Sequence, residues 1–310
     1  MLLLDILQFL GSMLMIYFSA EFIVRYGKDI AISIGVSKYI IGLTLIAFGT
    51  SFPEFVVSIN ASIMNEPGIV FGNVIGSNIA NIALVLSICA IMVQIKSDKV
   101  GNQDLIFFLF SAILAFFFSI DGYINLLEGI VLLCGFIFYC YTIKKSVILE
   151  KNNTQEKKER KKIDFYIIVI IVCSFFILIS GSNAFINSAI NLAERFNISS
   201  LAVSMTLVAI GTSLPELATS VIAVIKKEYE LLAGNIIGSN ILNILMILGP
   251  SAIINNIKVD LDYISITLML SLTFLVCVFN VFNIKMSRIM GIVLLIIYSV
   301  FIYSNFYKIV

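Results

Sequence analysis

Residues 44–82 read TLIAFGTSFPEFVVSINASIMNEPGIVFGNVIGSNIANI, and residues 206–244 read TLVAIGTSLPELATSVIAVIKKEYELLAGNIIGSNILNI. The two align without a gap, Thr44 on Thr206 through Ile82 on Ile244. Their matched positions include Glu54 with Glu216, Pro53 with Pro215, Ser77 with Ser239 and Asn81 with Asn243. Duplication for packing alone would select Leu and Ile. Matched carboxylates, hydroxyls and amides point instead to shared chemistry.

Both copies lie in very apolar surroundings. The chain of 310 residues is 60% hydrophobic and 13% charged, where an ordinary soluble domain carries roughly a quarter charged residues. Its length would suggest about two domains, but a mean hydropathy of +1.07 requires apolar surface facing lipid. The fold class is therefore all-α and polytopic. A helix needs about 20 apolar residues to cross a bilayer core of about 30 Å. Ten segments qualify: 2–24, 38–64, 69–94, 104–120, 124–143, 164–190, 200–225, 231–255, 262–281 and 286–307. The first opens MLLLDILQFL, with an acid and no base, so it is expected to stay as a span rather than serve as a cleaved leader.

Between the fifth and sixth spans lies KKSVILEKNNTQEKKERKK, residues 144–162. It divides the chain into a first five-helix repeat (1–143), a charged linker (144–163) and a second five-helix repeat (164–310). Its mixed charges read as a solvated loop, with weak contact to anionic lipid as the other reading. Placing it in the cytoplasm puts 17 Lys and Arg inside against 3 outside, as short basic loops require. Both termini then lie outside, and an odd number of spans per half makes the halves antiparallel. Inverted repeats of this kind place a transporter's binding site near the midplane, where the copies meet.

Charge and rare residues exclude other classes. Lys plus Arg is 20 against 19 for Asp plus Glu, which leaves no basic excess for nucleic acid. Histidine is absent, removing His-based zinc sites and Ser-His-Asp triads. Cys89, Cys134, Cys140, Cys173 and Cys277 stand singly without metal or disulfide spacing and read as packing or lipid-facing residues. An intramembrane enzyme would want His, Arg or paired Asp at its site, so an enzyme is not expected.

Glu54 and Glu216 sit deep in apolar spans, where an unpaired charge costs several kcal/mol. No Lys or Arg lies in the stretch around either. Either both are protonated, or a mobile cation supplies the counter-charge, with protons competing for an empty site. Steps of four place Thr50, Glu54 and Ser58 on one helix face and Thr212, Glu216 and Ser220 on its twin. Asn73, Ser77 and Asn81 repeat the pattern, as do Asn235, Ser239 and Asn243. Asn73 and Asn235 read equally as caps or packing groups, and Ser58 and Ser220 as bonded to their own helix. Pro53 and Pro215 lack an N–H, so the carbonyls of Gly49 and Gly211 lose their donors and the helices kink. The result is an all-oxygen set suited to hard cations such as Ca²⁺, with about 6–8 ligands. Two carboxylates balance one Ca²⁺, and an empty site with both bare resists crossing the membrane, so obligatory exchange is expected.

The pair GTSFPE with GNVIGSNIAN, repeated as GTSLPE with GNIIGSNILN, resembles the two alpha-repeats of the cation/calcium exchanger superfamily, most closely its prokaryotic sodium/calcium exchangers. The resemblance implies electrogenic antiport of about three Na⁺ for one Ca²⁺ across the cell membrane by alternating access, without a resident cofactor. It implies that Glu54, Glu216 and the backbone oxygens of Thr50 and Thr212 hold calcium. Sodium sites would use the Ala47 and Ala209 carbonyls with Thr50, Ser51, Ser77, Thr212, Ser213 and Ser239, and Asn81 and Asn243 would complete the middle. Some members, including potassium-dependent ones, carry Asp at one of those last two positions. With Asn at both, no potassium requirement is expected. A calcium/proton antiporter is the alternative within the superfamily. Membrane lipid and the two ions are the expected partners, with no obligatory protein partner. Glu21, four residues before Arg25, is expected to form a local ion pair or snorkel, and neither Glu21 nor Glu128 enters the site.

Overall fold

A computed structural model describes residues 2–95, 100–153, 164–195, 211–259 and 263–307. In chain order the helices are α1 (Leu2–Ile34), α2 (Lys38–Ile41), α3 (Ala47–Thr50), α4 (Phe52–Ile63), α5 (Pro67–Ala80), α6 (Ser87–Met92), α7 (Asn102–Phe118), α8 (Leu126–Asn153) and α9 (Phe165–Arg195). They continue as α10 (Leu214–Ile225), α11 (Tyr229–Leu242), α12 (Gly249–Ile254), α13 (Tyr263–Val281) and α14 (Arg288–Tyr307). Three π-helical stretches, Gly42–Ile46, Asn81–Leu86 and Asn243–Leu248, link α2 to α3, α5 to α6 and α11 to α12.

Among the described residues, six helices are long and apolar enough to cross a membrane, or seven when the bent pair Lys38–Thr50 and Phe52–Ile63 counts as one. The chain is thus a mostly helical membrane protein. Burial sorts the spans. The 18-residue windows within Pro67–Met92 and Tyr229–Ile254 are 83% and 94% buried, against 22% for Asp5–Ile34 and for Leu126–Glu150. The two spans carrying the GSN motifs are therefore the axis of the bundle. The others present apolar faces such as Phe110, Phe117, Phe176 and Phe274 outward.

Segment boundaries follow the sequence repeat. α4 and α10, α5 and α11, α6 and α12, and the π stretches at Asn81 and Asn243 each begin and end at matched positions of the two halves. The left-handed turn residues Asn65 and Lys227 are matched as well. Even the short strand pairings obey it: β1 (Tyr123–Ile124) pairs antiparallel with β2 (Ile257–Lys258), and Ile95 bridges Met286. Ile257 is the counterpart of Ile95 in the second half, and Met286 that of Ile124.

Local chemistry explains the breaks. All four prolines, Pro53, Pro67, Pro215 and Pro250, lie in the first turn of a helix, where no donor is needed. At Pro53 the span bends by 46° between Thr50 and Phe52. The entry to α8 is closed by a reciprocal cap: Asn125 Oδ1 accepts from the Glu128 N–H, and Glu128 Oε2 accepts from the Asn125 N–H at 2.7 Å. Close packing of the halves needs Gly234 and Gly238. A Cβ on either would overlap backbone atoms of Tyr39 or Leu43.

Several expected limits shift. α1 runs past residue 24 to Ile34, and α8 past 143 to Asn153, into the stretch read as linker. A helix can outlast the bilayer once its ends are polar and solvated. Glu21 does not pair with Arg25 among the described contacts: it meets Lys226 at 2.5 Å, because α1 lies beside the turn that follows α10. Residues 200–210 of the expected seventh span and 154–163 of the linker lie outside the described residues.

Candidate functional site

The bent first-half span, the start of α10 and the two axial spans converge at the bundle centre. α3, ending at Thr50, delivers Ala47 and Thr50, and the break itself carries Ser51. Glu54 lies in the first turn of α4 and Glu216 in the first turn of α10. Ser77 and Ser239 come from α5 and α11, while Asn81 and Asn243 open the following π stretches. Such π segments re-aim side chains and occur often at functional sites. All of these residues are buried, and so is Ser213, whereas Thr212 is half-buried. Ala209 lies outside the described residues.

Glu54 is 0% and Glu216 2% exposed. Their carboxylates are close enough to act on each other electrostatically, and Ser77 faces the Glu54 carboxylate. Even so, neither Glu54 oxygen has a hydrogen-bond partner of good geometry, nor does Glu216 Oε2. The same holds for both side-chain atoms of Asn81 and for the side-chain oxygens of Ser213, Ser239, Asn240 and Asn243. Buried polar atoms are nearly always bonded. Such unpartnered oxygens on both glutamates and on the flanking Ser and Asn side chains make this the candidate site.

Hydrogen bonds hold this wall together across the halves. Ser51 Oγ donates to Glu216 Oε1 at 3.2 Å, Asn243 Nδ2 to Asn78 Oδ1 at 3.2 Å, and Thr50 Oγ1 to Asn235 Oδ1 at 3.3 Å. Asn73 Nδ2 donates to the Glu54 carbonyl at 3.0 Å and to Ser58 Oγ at 2.9 Å. Asn235 Nδ2 donates to Thr219 Oγ1 and Ser220 Oγ. The two asparagines are thus braces for the glutamate helices rather than caps, and Ser58 and Ser220 accept from them. Sequence reasoning passed over Asn78 and Thr219. The signal for Thr219 was available, since Val57 stands at the matched position in the first half.

A family model described as sodium/calcium exchanger protein matches residues 4–145 and again 166–307. The chain belongs to the sodium/calcium exchanger family. The two segments matched by that family begin and end at equivalent positions of the repeat, in step with the motifs. An uncharacterised membrane protein of Methanocaldococcus jannaschii is 35% identical over 306 residues, covering 98% of this chain and 99% of its own length. A sodium/calcium exchanger of Methanosarcina acetivorans is 34% identical over 93% of this chain and 94% of its own length. A solved structure of the sodium-calcium exchanger NCX_Mj, soaked with zero Na⁺ and Ca²⁺, matches with a TM-score of 0.85 at 32% identity, covering 98% of this chain and 100% of that one.

Proposed function

We propose that this protein is a sodium/calcium antiporter that carries Na⁺ and Ca²⁺ in turn through one site at the bundle centre. The observation that carries the reading is the burial of Glu54 and Glu216 with three of their four carboxylate oxygens unpartnered, the fourth bonded to Ser51 at the break before Glu54. Family membership gives the same activity class, that of an exchanger. In this reading the two carboxylates neutralise one Ca²⁺, helped by the Thr50 and Thr212 backbone oxygens. The Ala47 and Ala209 carbonyls, with Thr50, Ser51, Ser77, Thr212, Ser213 and Ser239, take Na⁺, while Asn81 and Asn243 close the middle. Oxygen ligands without sulfur or imidazole suit both hard ions.

The architecture we propose is ten spans in two inverted five-helix repeats, residues 1–143 and 164–310, joined by the cytoplasmic linker 144–163. Recurrence of helix, π-helix and strand limits at matched positions of the two halves supports it. We place the protein in the cell membrane with both termini outside, on the distribution of Lys and Arg.

The test is flux. Purified protein in calcium-loaded vesicles releases calcium when Na⁺ or Ca²⁺ is supplied outside at clamped pH and potential. Glu54→Gln and Glu216→Gln abolish release while remaining folded. Leak without any external ion, or release driven only by a proton gradient, overturns the reading.

A further inference from the structure

The two halves hold their glutamate helices differently, and one side chain makes the difference. In the first half the Asn73 amide donates to the Glu54 carbonyl. In the second half the matching Glu216 carbonyl is already taken: Thr219 Oγ1 donates to it at 3.1 Å and to the Pro215 carbonyl at 2.8 Å. With its single hydrogen committed to those carbonyls, the Thr219 hydroxyl meets Asn235 only as an acceptor, at 3.4 Å from Nδ2. Turning the Asn235 amide around would set its oxygen against the Thr219 lone pairs. The amide nitrogen therefore faces Thr219 and Ser220, and the oxygen faces across the interface to Thr50. Val57 offers no such hydroxyl, and no Thr212–Asn73 bond forms among the described residues.

We propose that Thr219 is a positioning residue for sodium binding in the first half: by fixing the Asn235 amide it provides the acceptor that draws the Thr50 hydroxyl hydrogen away from the Ala47 carbonyl. The inference rests on the exchanger reading above. Thr50 Oγ1 has one hydrogen and three acceptors in reach, Ile46 O at 3.1 Å, Ala47 O at 3.3 Å and Asn235 Oδ1 at 3.3 Å. Ala47 O already accepts the Ser51 N–H at 3.0 Å. A carbonyl has two lone pairs, and without Asn235 the Thr50 hydrogen is shared between Ile46 O and Ala47 O, as that of Thr219 is between Pro215 O and Glu216 O, which leaves Ala47 less free to face a cation. Sending it to Asn235 leaves both the Ala47 carbonyl and a Thr50 lone pair toward the ion. The first half thus has a chain of bonds, Thr219 to Asn235 to Thr50, whose counterpart is missing among the described residues, although the glutamates match.

Full-length protein in vesicles tests this with Thr219→Val, which keeps the shape and removes the hydroxyl, and with Thr219→Ser, which restores it. Thr219→Val raises the half-saturating Na⁺ concentration for calcium release about fivefold, the size of one lost neutral hydrogen bond. Its half-saturating Ca²⁺ in sodium-free calcium/calcium exchange stays at the wild-type value, and Thr219→Ser behaves as wild type. Asn235→Ala raises the half-saturating Na⁺ concentration at least as much, and combining it with Thr219→Val adds nothing to that sodium shift, since both cut one chain of bonds. This second variant carries the test if Thr219→Val does not fold. Unchanged sodium dependence, equal shifts for sodium and calcium, or a Thr219→Ser as impaired as the valine variant overturns the assignment. Absence of sodium-driven flux in the wild-type protein would instead defeat the exchanger reading itself.

Discussion

Ser51 donates its hydroxyl to the Glu216 carboxylate at 3.2 Å, joining a residue at the break of one glutamate helix to the acid of the other. This bond leaves Glu216 with one bonded and one unpartnered oxygen, while Glu54 has two unpartnered ones. The two acids are therefore not equivalent in the structure, although the sequence repeat makes them so.

Ser51→Ala removes that donor and a proposed sodium ligand at once. A hydrogen bond to a charged group contributes about 1.5–3 kcal/mol, so exchange is expected to slow by roughly tenfold or more and to need more of both ions. It should remain measurable, unlike exchange by Glu216→Gln. Calcium uptake against sodium titrations settles the ranking, and an alanine variant as active as wild type would remove Ser51 from the site.

Potassium is the next discriminator. Asn81 and Asn243 sit in the centre, buried, with Asn243 Nδ2 bonded to Asn78 Oδ1. An amide brings no charge for an additional monovalent ion to neutralise. Sodium-driven calcium flux is accordingly expected to be the same when potassium is replaced by a large organic cation on both sides. A fall to background would show that neutral asparagines do not exclude potassium coupling.

The motifs made the candidate site legible because buried polar atoms stand out in oily spans, and Glu54, Glu216, Ser77, Ser239, Asn81 and Asn243 are all buried in them at matched positions. The same logic could not place Asn73 and Asn235. Their role depends on which carbonyl or hydroxyl lies opposite, and that is set by packing across the halves. Nor does hydropathy register the π stretches, since Asn81–Leu86 reads NIALVL, apolar after its first residue, and differs from the neighbouring helices in winding. Helix ends were the least legible. α1 continues beyond its expected limit to Ile34, and the extension carries Lys28 to Glu228, an ion pair between the two halves that no local pattern announces.

That ion pair gives a pH prediction. Glu228 precedes α11 and meets Lys28 at 2.7 Å and Lys38 at 2.5 Å. Burial alone would raise its carboxyl, but the two ammonium groups outweigh burial and hold it below the ordinary glutamate value of 4.5. A group depressed in the folded state stabilises above its unfolded value and loses that contribution as pH falls through the folded one. The gap in thermal midpoint between wild type and Glu228→Gln should thus be full at neutral pH and shrink below about 4.5. A gap that is constant down to strong acid would show that the charge on Glu228 contributes nothing.

Packing and transport meet at Gly238. A Cβ there would overlap the Leu43 carbonyl oxygen and come within 2.8 Å of the Ala47 Cβ. Those atoms belong to the span that ends in Thr50, and main chain cannot rotate away as a side chain does. Overpacking a tight core costs about 1–3 kcal/mol, so Gly238→Ala is expected to lower the thermal midpoint. Because the strain falls on Ala47, it should also weaken sodium dependence more than it slows calcium/calcium exchange. Gly72 is the contrast, exposed on α5 with no heavy atom among the described residues within 4 Å of where a Cβ would stand. Gly72→Ala gains about 1 kcal/mol of helix propensity and should leave both fluxes alone. Equal tolerance of the two substitutions would mean that the contact of Gly238 with the Ala47 span does not shape the site.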